Sequence, residues 1–335
     1  MRRSRVVAFA LCFVPLLLSA RNAPPAFLRA IRKGAKAEIR LVVRDDEGAL
    51  VPGASVRAIF DMPNEEYSLY GKTDTNGVWV VRGKTNGNYV KFLVGKEGYY
   101  GSREEMSYIM MGAEHDVKDG KWQPYGAEFQ ICMKRVKNPQ KLSSVNMINY
   151  IYTDQIGKWV GYDLEKNDYV RPCGDGVHAD FEVFLDWDGQ SFPKCKKIGF
   201  QLRFLQLYSG YYETSSATES EFPFPYEAVT NAQFVQSARF YDIYDGERIR
   251  NTFDMKKCWV VRSRCETNNL GQLISANYSI VGFLGISGSR FGKAGFSFWG
   301  AFNPTPNDTN LEDMHFSEKN RWFIRQCEEP QIDDD

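Results

Sequence analysis

From Ala37 to Val94 the chain alternates apolar and polar side chains with a period of two, in short runs punctuated by turn residues. Ala37, Ile39, Leu41 and Val43 fall on one side of an extended chain, and Glu38, Arg40 and Arg44 on the other. That is the pattern of a strand with one buried face. Asp45-Asp46-Glu47-Gly48 supplies a turn, and Pro52-Gly53 introduces a second strand that directs Ala54, Val56, Ala58 and Phe60 inward. Residues 66–72 form a third. Asp74-Thr75-Asn76-Gly77 is a hairpin signal, because Asn-Gly tolerates the positive φ of a tight turn. Val78–Val81 and Tyr89–Val94 continue the sheet. A helix needs a period of 3.6, so a chain written this way is bound to β structure.

The order of these features carries a resemblance. Asp46-Glu47-Gly48, Pro52-Gly53-Ala54-Ser55-Val56, Thr73-Asp74-Thr75-Asn76-Gly77 and Gly98-Tyr99 follow one another at domain-sized spacing. Together they resemble the carboxypeptidase regulatory-like, prealbumin-like domain, which implies a β-sandwich accompanying a secreted protein rather than a catalytic unit. In that family the last strand closely follows the Gly-Tyr pair. Here residues 100–126 are inserted before the alternating Ala127–Lys134 completes the sheet. The insertion reads as elaboration of the sandwich, with a binding loop as the alternative.

Lys137-Asn138-Pro139 marks a boundary. Beyond it come strand patterns at Val145–Tyr152, Asp180–Trp187, Lys197–Phe204, 258–264, 273–283 and Gly295–Phe302. Ser209–Tyr226 reads as a long loop, since proline in Phe222-Pro223-Phe224-Pro225 has no N–H for an interior strand. Residues 226–238 are the best candidate for a short helix. Gly161-Tyr162-Asp163-Leu164, Asp168–Pro172 and Asn303–Glu312 are similar to segments of a group of secreted bacterial proteins carrying the same N-terminal sandwich. That resemblance implies a two-part architecture and no particular activity. The expected fold class is therefore all-β: an N-terminal prealbumin-like (Ig-like) β-sandwich over 36–137, then a larger antiparallel β-sandwich-like domain over 138–330, and an acidic tail at 331–335.

Residues 1–20 have the layout of a signal peptide: Arg2, Arg3 and Arg5, an apolar run from Val6 to Leu18, and Leu18-Ser19-Ala20 for cleavage. The run is too short for a span of roughly 20 residues, and no later window approaches that length. Arg21 stands where a lipid anchor would need cysteine. A secreted or periplasmic protein is expected, with residues 21–35 as a lead-in. The formal charge is zero, from 42 basic and 42 acidic residues. Without a basic stripe, no nucleic-acid partner is expected. Cys132, Cys173, Cys195, Cys258, Cys265 and Cys327 remain after the leader, an even set that permits three disulfides in an exported chain. No CxxC pair occurs, which argues against a zinc ribbon or a thioredoxin-like redox site.

Motifs for catalysis are scarce. The three histidines, His115, His178 and His315, form no metal-ligand spacing, and no G-x-S-x-G elbow or phosphate-cradling loop is present. His178-Ala179-Asp180 has the spacing of a metal or triad fragment, but alternate residues on a strand also share a side for packing reasons. Asp186-Trp187-Asp188-Gly189 starts like a calcium loop but lacks the distal Glu. The densest oxygen-bearing cluster, Asn307, Asp308, Asn310 and Glu312, is the candidate surface Ca²⁺ site; no other cofactor is expected. Seven tryptophans and 18 tyrosines make an aromatic sugar platform the leading functional expectation. Trp122, Tyr125, Trp159 and Tyr162 lie near loops and are its candidate residues. The expected partner is an envelope or extracellular glycan or protein, bound without catalysis; the alternative is a secreted, glycan-directed hydrolase with its site in the second half.

Overall fold

The structure is a computed structural model, and it describes residues 23–109, 117–151, 156–187, 194, 196–245, 248–251, 254, 256–288 and 294–328. The leader, His115, Asp188-Gly189, Cys195 and the acidic tail lie outside the described residues. The chain divides into two units: one runs to Arg135 and resumes at Trp322, and the other is Val136–Arg321. The expected 138–330 block is thereby corrected at its end. Phe323 and Cys327 pack with Leu93 and Ile59 of the first unit and bury an apolar spot there.

The first unit opens with α1 (Pro25–Lys33), so the lead-in is helical rather than a plain connector. Proline at the first position costs no hydrogen bond, and Gly34, at φ 71°, closes the helix by donating its N–H to the Ala30 carbonyl at 2.7 Å. Phe27 and Ala30 face inward. Ten strands follow: β1 (Ala35–Asp45), β2 (Ser55–Asp61), β3 (Glu66–Lys72), β4 (Val78–Thr85), β5 (Val90–Gly95), β6 (Tyr99–Tyr100), β7 (Ser102–Met106), β8 (Val117–Lys118), β9 (Lys121–Trp122) and β10 (Ala127–Arg135). One sheet runs β6-β10-β1-β9-β8 with β4 also paired to β1, and the other runs β3-β2-β5-β7. Between them Ile39, Leu41, Val43, Val56, Ala58, Phe60, Phe92 and Val94 are buried, as the alternation requires.

The Asp74–Gly77 turn is tight, with Gly77 at φ 65° and the Asp74 carboxylate accepting the Asn76 and Val78 amides at 2.9 Å each. It is not a hairpin between partners, however. β3 pairs with β2 and β4 with β1, so the turn carries the chain from one sheet to the other. The 100–126 insertion is absorbed into the sandwich: β7 extends one sheet and β8-β9 the other.

The second unit contains β11 (Ser143–Ile151), β12 (Trp159–Asp163), β13 (Asp168–Tyr169), β14 (Phe181–Trp187), β15 (Lys197–Arg203), β16 (Gly210–Ser215), β17 (Ser237–Asp245), β18 (Arg248–Asn251), β19 (Lys257–Thr267), β20 (Leu273–Gly288) and β21 (Ala294–Phe302). The helix α2 (Met314–Gln326) begins in this unit. The sheets are β11-β21-β20-β19-β16 and β13-β12-β14-β15-β17-β18, and their strand pairs are antiparallel. Phe181, Val183, Leu185 and Trp187 alternate into a core shared with Phe200, Leu202, Trp259 and Phe298.

Residues 226–238 are not helical. Glu227 and Val235 make β-bridges to Asn310 and Tyr211, which take the backbone groups a helix would use. The expected loop after Ser209 likewise contains β16, paired along β19. No disulfide joins any two of the five described cysteines. Cys258 and Cys265 share strand β19, too far apart along an extended chain to meet.

Candidate functional site

The aromatic platform expected from sequence does not assemble. Trp122 is 0 % exposed; its indole N–H donates to the Thr85 carbonyl at 2.9 Å, and its ring stacks on Tyr108 and meets the edge of Phe27. Gly87 gives it room, since a Cβ there would lie 2.3 Å from the indole. Tyr162 is also 0 % exposed, stacked on Phe181 with its hydroxyl donating to Asn167 Oδ1 at 3.0 Å. Both are core residues whose polar atoms have partners, and neither offers a face to a ligand. Tyr125 is half-buried in the first unit, with the Lys121 ammonium 4.7 Å from its ring. Trp159 is half-buried in the second, beneath the Arg203 guanidinium at 4.1 Å.

The expected Ca²⁺ cluster is a clasp on the protein's own backbone. Asn307 accepts the Ala276 amide and donates to the Ile274 carbonyl, and Asp308 accepts the Asn310 amide. Asn310 accepts the Glu312 amide at 2.7 Å and donates to the Asn138 carbonyl at 2.7 Å. The two Glu312 oxygens accept the Lys137 and Asn138 amides at 2.9 and 2.6 Å, with the side chain shut away from water. The oxygens that suggested a metal are taken up by amides at the 137–138 boundary. Among the described residues, no group of three or more His, Cys, Asp or Glu is placed to hold a metal ion.

A second acidic cluster is equally self-satisfied. Arg264 Nε and Nη2 donate to Asp180 and Asp163 at 3.0 and 2.9 Å, and Nη1 meets Glu165. Asp163 also accepts the amides of Glu165, Lys166, Val177 and His178, while Asp180 accepts the Leu164 amide and the Ser263 hydroxyl. Burial pushes both carboxyls up. For Asp163 the amides of His178, Val177 and Lys166 together with Arg264 overturn that and hold it below the usual carboxylate range, whereas for Asp180 burial wins. The Asp180 bonds go to Arg264, Ser263 and Leu164, so His178-Ala179-Asp180 pins the 164–179 loop rather than forming a triad fragment.

A different place in the second unit gathers groups that are not consumed this way. β11 and β21 pair antiparallel, placing Ser144 opposite Ala301 and Val145 opposite Gly300. The Gln140 carbonyl accepts the Met314 amide at 2.7 Å, which sets the start of α2 beside the start of β11. The result is a cavity of about 330 Å³ lined by Ser144, Val145, Trp299, Gly300, Asp313, His315, Phe316 and Lys319. Trp299 and Phe316 form its aromatic wall, with ring centres 6.0 Å apart, backed by Phe224 at 4.5 Å from Trp299. Position 300 must be glycine because a Cβ would lie 1.8 Å from the Ile280 carbonyl oxygen. Asp313 caps α2: its carboxylate accepts the His315 amide at 3.2 Å, and burial raises its pKa against the opposing pull of the nearby His315 and Leu142 amides and the His315 side chain. Because these oxygens serve backbone amides, Ser144, His315 and Asp313 are not arranged as a nucleophilic triad.

Ser144, His315 and Lys319 are exposed at this cavity. Among the described residues the Ser144 hydroxyl and the His315 imidazole make no hydrogen bond. Lys319 has one loose ion pair, 3.8 Å to Glu221. A hollow with an apolar wall and a few open polar groups is the usual form of a small-ligand site. The hollow of about 290 Å³ beside α1 in the first unit offers only one charged group, Arg29, in an otherwise apolar lining. None of the cavity residues was singled out from sequence as a binding residue. Trp299 was counted only among the tryptophans, and the one local signal was the basic pair His315 and Lys319 at helical i, i+4 spacing.

No protein-family model matches this chain, and no curated protein matches it. Among solved structures, it is similar to 3-chlorocatechol 1,2-dioxygenase of Rhodococcus opacus 1CP at 15% identity, over 31% of this chain and 61% of that one, with a TM-score of 0.24. Catechol 1,2-dioxygenase of Acinetobacter sp. ADP1 gives 14% identity over 32% and 58%, with a TM-score of 0.21. A streptococcal ancillary pilin gives 12% identity over 65% and 62%, with a TM-score of 0.20. The chain thus spans about six tenths of the length of each of these proteins. Likeness at these scores carries no argument about what the chain does. Among the described residues no helix is long and apolar enough to cross a membrane.

Proposed function

We propose that this is an exported binding protein whose second unit takes a compact sugar ring in the Trp299 cavity, with the first unit as a carboxypeptidase regulatory-like scaffold. Export rests on the leader pattern of residues 1–20, and the scaffold reading on the ordered turn motifs between Asp46 and Tyr99. The observation that carries the binding reading is the cavity: an apolar wall of Trp299 and Phe316 facing open hydroxyl, imidazole and ammonium groups. A sugar ring has an apolar face of C–H groups and a rim of hydroxyls, and such a wall and rim match both. The alternative, a glycan hydrolase, requires two carboxyl groups facing one scissile bond. The cavity lining holds one, Asp313, and that one caps a helix.

The test is retention of the mature chain on a glycan array, beside Ser144→Trp, which fills the cavity from its exposed rim without touching the core. Retention of a glycan by the parent and its loss in the variant is the expected result. Equal retention by both would sink the cavity as the binding site.

A further inference from the structure

We infer that the Trp299 cavity selects acidic sugars, rings bearing a carboxylate, over their neutral counterparts; this rests on the reading of the cavity as a sugar site. A hydrogen-bonding group aimed at a ligand must be left open by the protein itself, and the open groups decide which ligand atoms are matched.

Each polar group around the cavity has a definite status. Asp313 is 3 % exposed, its carboxylate accepts the His315 amide, and it lies beside the Leu142 amide and the His315 side chain, so it is closed to a ligand. The first amides of α2 are closed as well: Met314 donates to the Gln140 carbonyl, His315 to Asp313 Oδ1 and Phe316 to the Asp313 carbonyl. What remains is the Ser144 hydroxyl, the His315 imidazole and the Lys319 ammonium. The ammonium can only donate, the hydroxyl rotates to suit, and the imidazole donates from one nitrogen when neutral and from both when charged. The Lys319 partner, Glu221, stands at 3.8 Å, beyond hydrogen-bond distance, and Lys319 keeps 59 % of its side-chain surface in water. A carboxylate on the ligand presents acceptors only, and a charge-assisted bond to an ammonium is about twice as strong as a neutral one. His315 and Lys319 also stand one helical turn apart on α2, so one carboxylate can meet both.

The experiment uses matched pairs of methyl glycosides in the gluco, galacto and manno configurations, each pair differing only in a carboxylate or a hydroxymethyl at C6. Binding to the intact mature protein is followed by calorimetry in low salt and again in 1 M NaCl. At least one uronate is expected to bind about tenfold more tightly than its hexose partner, the worth of one such bond. That preference should shrink in high salt, where screening acts within about 3 Å. Lys319→Gln should remove the preference, bringing each uronate to within about twofold of its hexose partner whatever the change in their common affinity. If uronates and hexoses bind equally and Ser144→Trp abolishes both, the sugar-site reading stands and the acidic preference is overturned. If Lys319→Gln retains the preference, the assignment to Lys319 fails. If no member of any pair binds, the sugar-site reading and the preference fall together.

Discussion

Glu312 and Lys319 flank the first turns of α2, and they treat the surrounding protein in opposite ways. Glu312 is 1 % exposed with both oxygens on backbone amides, while Lys319 reaches into water beside a cavity with its nearest acid 3.8 Å away. The acidic cluster around Arg264 behaves like Glu312; the His315 and Ser144 side chains behave like Lys319. Density of charged residues therefore says little about where a ligand goes. The useful quantity is bonding capacity that the fold leaves unused.

The largest effect that can break this comparison is at Arg264. Arg264→Ala leaves Asp163 and Asp180 buried without their cation, and the expected loss is about 3–5 kcal/mol. Thermal unfolding of the full chain should show it as a fall in Tm of roughly 10 °C; a change of a degree or less would mean the cluster is not structural. Next is Glu312→Ala, which strips two amides of their acceptor and should cost about 1–3 kcal/mol. Addition of millimolar CaCl₂ to the parent protein should leave Tm where it is. A rise on adding Ca²⁺ would restore the metal reading.

The third effect is a pH dependence. Asp163 is held below the usual carboxylate range, so its stabilisation is fully present above the unfolded value of about 3.9 and is lost as pH falls through the lower folded value. Urea midpoints should accordingly fall below about pH 4, and Asp163→Asn should flatten that part of the profile. The smallest effect is the most diagnostic: His315→Ala and Lys319→Gln should each change stability by no more than about 0.5 kcal/mol, because both are exposed and hold only loose contacts, His315 to Phe316 and Asp313 and Lys319 to Glu221. A loss above 2 kcal/mol at either would place it with Glu312.

Much of the sheet structure was readable because burial on one face imposes a local period. Phe181, Val183, Leu185 and Trp187 show it in four alternate positions, and all four are buried. Pairing was less readable. Asn76-Gly77 announces a turn, but whether β3 and β4 then join each other or separate sheets depends on β1 and β2, which lie elsewhere in the chain. The site was least legible of all. Its walls come from Ser144 and Val145, from Trp299 and Gly300, and from 313–319, brought together by the β11–β21 register and one amide bond at Gln140. Composition pointed to Trp122 for the same reason it misled: a tryptophan in an inserted segment looks loop-borne until Thr85 and Gly87 are seen to hold it in the core.

The return of the chain to the first unit at Trp322 has a consequence for the order of events at birth. A chain made from its N-terminus presents Leu93 and Ile59 early, but Phe323 and Cys327, which cover them, emerge only after the strands of the second unit. The first sandwich must therefore remain unfinished while every strand of the second is synthesised. A premature stop just before Trp322 would wound the unit furthest from it in sequence, and leave Leu93 bare to any passing partner.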